Sequence, residues 1–237
     1  MKIINLIAFF FMIIMNFLAN YLPLNGKTTG ELSSQYPNLF VPAGITFSVW
    51  GGIYLLLFLF VILQFFEANR EWTTYTIYLF ALSSIFNGLW IWAWHYEKVF
   101  LSIMIMSGLL ITLLIINARI QHLSSPFLKA TFGIYLGWIC IAIIANITAL
   151  LVDINWSGWG IPDRWWAIIM IMTGAAIIIF AVWRLHNPFL AFVAIWAFAG
   201  IILNRMNDFP SIVYTAVAAI VIMILFTTIF SIKRGFL

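Results

Sequence analysis

The chain has 237 residues, of which 65% are hydrophobic and only 8% charged, and its mean hydropathy is +1.11. A soluble domain carries about 25% charged and about 45–50% apolar residues, so these values describe an integral membrane protein with no room for a separate soluble domain. One cysteine, Cys140, excludes a disulfide framework or a cysteine-based metal cluster. Three histidines leave little for metal chemistry, and the small net charge of +4 is explained by topology rather than by nucleic acid or another anionic partner.

Apolar runs bounded by charged or turn residues predict eight transmembrane helices, at 3–21, 45–66, 76–94, 100–116, 130–152, 165–182, 188–203 and 212–232. The runs are apolar on every face, without the alternation of barrel strands, so the fold class is all-α and helices satisfy the backbone within the bilayer. The first run is too long for a signal-peptide core, is interrupted by Asn16 and Asn20, and lacks a small-x-small cleavage site, so it is expected to stay as the first helix. The seventh is short for a core about 30 Å thick. Eight spans put both termini on one side with Lys2, Arg70, Arg119, Lys129, Arg184, Lys233 and Arg234, against Lys27, Lys98, Arg164 and Arg205 opposite. That excess favours cytoplasmic termini, here in a bacterial plasma membrane.

The long connection at 22–44, with Gly26, Gly30, Pro37 and Pro42, is expected on the opposite side as a lid or binding element. The connection at 153–164 and the helix start beyond it carry Trp156, Trp159, Trp165 and Trp166, a pattern that suits anchoring at headgroup depth.

No predicted span holds Asp, Glu, Lys or Arg in its interior, which argues against ion-coupled pumps, antiporters and voltage sensors. His95, His122 and His186 fall at span edges, where solvated side chains are expected, and Cys140 lies in an all-apolar stretch as packing. Nucleophilic catalysis would need a serine with a histidine partner or paired carboxylates, and the pattern supplies neither, so no catalytic residue, metal site or required cofactor is assigned. What the spans do hold is aromatic and amide residues. Asn87, Trp90 and Trp94 recur at i, i+3, i+7 along one stripe. Tyr135 and Asn146, eleven residues apart, lie within about 20° on a helix with Trp138 flanking, and Trp50 and Tyr54 stack at i, i+4. Asparagines are costly against lipid, so Asn87 and Asn146 should point inward. They either glue helices together by hydrogen bonds or supply amide handles in an aromatic cavity for a flat, lipophilic ligand.

Val49-Trp50-Gly51-Gly52-Ile53-Tyr54, preceded by Pro42 and Phe47, resembles the second-helix signature of the tryptophan-rich sensory protein family, also called the translocator-protein or peripheral-benzodiazepine-receptor family. Phe86-Asn87-Gly88-Leu89-Trp90 is similar to that family's third-helix Leu-Asn-x-x-Trp. Met106-Ser107-Gly108 falls where its fourth helix has small residues, and Tyr135-Leu136-Gly137-Trp138 with Asn146 resembles its fifth-helix motif. The resemblance covers roughly 1–156 and implies a five-helix bundle there, with 157–237 adding three helices. It also implies an internal cavity for porphyrins or other tetrapyrroles, sterols and synthetic aromatic ligands, capped by the first long loop, and it allows a homodimer.

Carried over by residue, Trp50, Asn87, Trp90, Trp138 and Asn146 would contribute to that cavity, with Tyr54, Trp94 and Tyr135 beside them on the same faces. Three features depart from the family pattern: Leu39 and Gly44 stand where members carry loop tryptophans, Val41 replaces one of two prolines, and Gly133 or Ile134 replaces the fifth-helix proline. One internal echo is visible: Trp196 and Asn204 repeat the eight-residue spacing of Trp138 and Asn146. If it is more than coincidence, it predicts a second polar-aromatic surface on the seventh helix, one that enlarges the cavity or makes an intramolecular contact. The chain is therefore expected to bind a lipophilic ligand in the bilayer for sensing or transport. The alternative is a secondary transporter of a small neutral or amphipathic solute, which would call for broken helices or repeated halves. An oxidative action on bound porphyrin and an inert aromatic scaffold are further alternatives.

Overall fold

The computed structural model describes residues 2–22, 24–66 and 70–235, with side chains for all of these except 70, 71, 73–75 and 77. Among them the protein is helical and free of strands: α1 (Lys2–Tyr21), α2 (Thr29–Ser34), α3 (Val49–Leu63), α4 (Arg70–His95), α5 (Val99–Ile120), α6 (Pro126–Asp153), α7 (Asp163–Leu185), α8 (Phe189–Arg205) and α9 (Pro210–Arg234). Every predicted span has its helix. Six of the eight stretches are long and apolar enough to cross a membrane among the described residues, and α8 is a shorter apolar helix. The eighth stretch is α4, 26 residues long, which also carries Thr76, Ser83, Ser84 and Asn87 as buried polar residues.

Most of the helices, α4, α5, α6, α7 and α9 at both ends, extend past the predicted edges because hydropathy marks the hydrocarbon core while backbone hydrogen bonding continues into the interface, whereas α3 is shorter than the predicted 45–66. Their ends follow capping chemistry. His186 closes α7 in the left-handed region (φ 49°) just ahead of Asn187-Pro188, where a helix cannot easily continue. Pro210 opens α9, and Gly235 (φ 68°) closes it behind Lys233 and Arg234, whose charges suit a helix C-terminus.

Burial is inverted relative to a water-soluble protein. Phe10, Ile14, Phe100, Met104, Phe180 and Leu225 are exposed, while Asn5, Asn16, Ser83, Ser84, Asn87, Ser102 and Asn117 are buried. That is the distribution expected when the surrounding solvent is lipid and polar groups must find partners inside.

The chain divides into two compact units, one of residues 1–36 and 50–132, the other of 37–49 and 133–237. In the first, α1 and α5 both pack on α4. Phe60, Phe80 and Phe132 form its aromatic centre, with ring centroids 5.0, 5.1 and 6.4 Å apart. Amides tie its elements together: Asn16 Nδ2 donates to Asn87 Oδ1 (2.8 Å), Asn5 Nδ2 to Gln64 Oε1 (2.9 Å), and Asn117 Nδ2 to the Phe132 carbonyl (3.0 Å).

In the second unit α7, α8 and α9 pack on one another. Helix α6 meets α8 at Gly137, where an added Cβ would stand 2.5 Å from the Leu190 carbonyl oxygen, so only glycine permits this approach.

Candidate functional site

The eight residues singled out from the sequence fall into both units. In the first, Trp50 stacks on Tyr54 (5.4 Å between centroids, 18° between planes) and on Trp90 (5.8 Å, 28°). The i, i+4 spacing on α3 produces the first pair, and packing against α4 supplies the second. Trp90 is 5% exposed, and its indole N–H is buried with no hydrogen-bond partner among the described residues. Asn87, fully buried one turn away, accepts from Asn16, so it does act as interhelical glue between α1 and α4. Trp94 is buried against Tyr36 (5.6 Å).

In the second unit Tyr135 is fully buried, Trp138 is 3% exposed with Phe47 edge-on at 6.0 Å, and Asn146 is 5% exposed and donates back to the Ala142 carbonyl (3.3 Å). Asn87 and Asn146 are thus both buried, as the cost of an amide against lipid requires.

The long connection is more structured than its composition suggested. Its first part folds onto the end of α4. Thr28 and Glu31 form a reciprocal capping box that starts α2, a Thr-x-x-Glu signal legible in the sequence but overlooked there. Contrary to expectation, His95 is not solvated: it is fully buried under this segment. Its Nδ1 lies 3.2 Å from the Leu24 carbonyl, which can only accept, so Nδ1 carries the proton and Nε2 receives the Thr29 hydroxyl at 3.0 Å. Asn25 donates to the His95 carbonyl, and Lys27 pairs with Glu97. Burial lowers the pKa of His95, which lies beyond the apolar stretch 76–94, and this favours the neutral imidazole.

The second part, 37–49, is held by α8. Asn204 Nδ2 donates to the Val41 carbonyl (2.9 Å), Arg205 donates to the carbonyls of Leu39 (3.2 Å) and Asn38 (2.8 Å), and Trp196 Nε1 donates to Thr46 (2.9 Å). Ala43 N–H reaches the Gly200 carbonyl at 3.0 Å, and a Cβ on Gly200 would collide with the Thr46 side chain. The repeated Trp-to-Asn spacing on the seventh predicted helix therefore has a structural use: both side chains clamp the loop.

Beneath this clamped segment lies a cleft of about 260 Å³ within the second unit. Its walls are residues 37–40, the end of α6, the 155–158 turn and the start of α7. The tryptophans predicted as membrane anchors divide their work. Trp159 is 77% exposed and Trp165 49%, as anchoring requires, whereas Trp156 and Trp166 are half-buried and line the cleft. Trp156 and Trp166 meet edge to face at 4.9 Å, and the Trp166 N–H donates to the Gly158 carbonyl (3.0 Å). That bond holds a turn in which Gly158, Trp159 and Gly160 are all left-handed.

Lipid-facing apolar helices enclosing buried amides and stacked aromatic side chains define an all-α integral membrane protein with aromatic clusters in its interior. A family profile described as TSPO-like protein matches residues 2–229, and the chain belongs to that family. The match runs through α7 and α8 and most of α9, well past the stretch on which the short motifs lie. No curated protein and no solved structure matches the chain.

Proposed function

We propose that this protein binds a flat, lipophilic ligand, a tetrapyrrole or another aromatic molecule, non-covalently within the membrane, in order to sense or move it. The observation that carries this reading is the Trp90 indole N–H, buried without a partner among the described residues beside the stacked face of Trp50. A buried donor left unmatched costs about 1–3 kcal/mol, so such a group calls for an acceptor from outside the chain. A ligand that stacks on Trp50 and Tyr54 and accepts from Trp90 supplies both the apolar contact and the missing bond. Membership of the TSPO-like family supports the same reading. Trp94 and Asn87, in the same unit, are proposed as further contributors, and both termini are proposed to face the cytoplasm across a plasma membrane, a reading that the excess of Lys and Arg on that side supports.

The test is an absorbance titration of the detergent-solubilised protein with protoporphyrin IX, followed at the Soret band. Saturable binding near one equivalent is expected, weakened about three- to tenfold by Trp90→Phe, which removes one hydrogen bond. A titration that never saturates, or one indifferent to Trp90→Phe, overturns the proposal.

A further inference from the structure

The cleft under residues 37–40 shares no lining residue with the Trp50–Trp90 stack and has a chemistry of its own. Its aromatic wall is made by Phe40, Trp156 and Trp166, its polar groups include Asn38 and Asn155, and the one charged side chain lining it is Asp163. The nearby cations are engaged elsewhere. Arg205 donates to the Asn38 and Leu39 carbonyls, and the Arg164 guanidinium lies over the Trp165 ring at 5.5 Å. Neither lines the cleft. A cavity walled by indole rings and carrying one carboxylate matches organic cations: ring faces attract a diffuse positive charge, and the carboxylate supplies the counter-charge. The negative pole at the end of α6 and the positive pole at the start of α7 both border this space and offset each other, which leaves the Asp163 carboxylate to set its sign. At about 260 Å³ the cleft falls just under the range of roughly 300–1,000 Å³ typical of drug-sized ligands, which selects a smaller molecule.

We propose that this cleft is a second binding site, for a small organic cation of the tertiary or quaternary ammonium type with an apolar body. The apolar body packs on Phe40, Trp156 and Trp166, and the ammonium lies near Asp163. The site exists because α8 clamps residues 38–46 in place and because the Trp166–Gly158 bond holds the left-handed turn that brings Trp156 against Trp166.

The experiment is equilibrium dialysis of radiolabelled benzyltrimethylammonium against the purified full chain in a non-ionic detergent. Neopentylbenzene, which has the same shape without the charge, serves as competitor. Saturable binding is expected, weakened tenfold or more by Asp163→Asn, largely restored by Asp163→Glu, weakened by Trp156→Leu, and poorly displaced by neopentylbenzene. Trp90→Phe should leave it unchanged, which separates this site from the tetrapyrrole reading. Binding no greater than to detergent alone, full affinity in Asp163→Asn, or displacement by neopentylbenzene at equal concentration would each overturn the proposal.

Discussion

Asn16 and Asn87 meet inside the first unit with both amides buried, yet such bonds in membranes are worth only about 0.6 kcal/mol on average. A double-mutant cycle with Asn16→Leu and Asn87→Leu, read by thermal unfolding in detergent, should give a coupling near that value and below about 1.7 kcal/mol. A coupling of zero would mean that the two side chains do not share a bond. His95 carries the other residue-scale prediction. Its folded pKa is depressed by burial, so its neutral form contributes stability that is present above the unfolded value of about 6.5 and is lost as pH falls through the lowered folded value. Amide protection factors across residues 24–34, corrected for the intrinsic pH dependence of exchange, should therefore fall when the pH drops from 7.5 to 5, and His95→Gln should flatten that dependence. Protection factors that ignore pH in the wild-type chain contradict it. The burial of His95 was not legible in the sequence, because a histidine at a span edge looks the same whether or not a distant loop folds over it.

At the scale of elements, α8 illustrates what periodicity can and cannot reveal. Its 17 residues are short for a span, and the Trp196-to-Asn204 echo was visible without its purpose. The purpose depends on carbonyls at Leu39, Val41 and Thr46, 150 to 166 residues earlier in the chain, and no local pattern encodes that pairing. Arg205→Ala removes two charge-assisted hydrogen bonds to the loop and should raise amide exchange over residues 38–46 by tenfold or more. Arg205→Lys, which lacks the planar fork, should fall between the two. Unaltered exchange in Arg205→Ala would show that the clamp does not hold the loop. The capping box at Thr28 and Glu31 is the opposite case: all of its information is local, so α2 was predictable from four residues.

For the whole molecule, the class was legible at once because 65% apolar residues in long runs admit few other solutions. The eight helices were legible too, except at their ends, where the hydrocarbon boundary and the end of backbone hydrogen bonding diverge. The family signature rested on Trp50, Asn87, Trp90, Trp138 and Asn146, while the match itself extends to residue 229. Motifs show where aromatic and amide side chains recur; they do not show that Asn87 spends its carbonyl on Asn16 while Trp90 keeps an unmatched N–H.

The Trp90 N–H, without a partner among the described residues, offers the most direct test of ligand binding. An indole N–H correlation spectrum of the ¹⁵N-tryptophan-labelled protein, with the Trp90 resonance identified by its loss in Trp90→Phe, reports directly on the hydrogen bond. On titration with protoporphyrin IX the Trp90 resonance should move downfield and saturate with the Soret change. A Soret change that saturates while the Trp90 resonance stays still would place the ligand elsewhere and contradict the central claim.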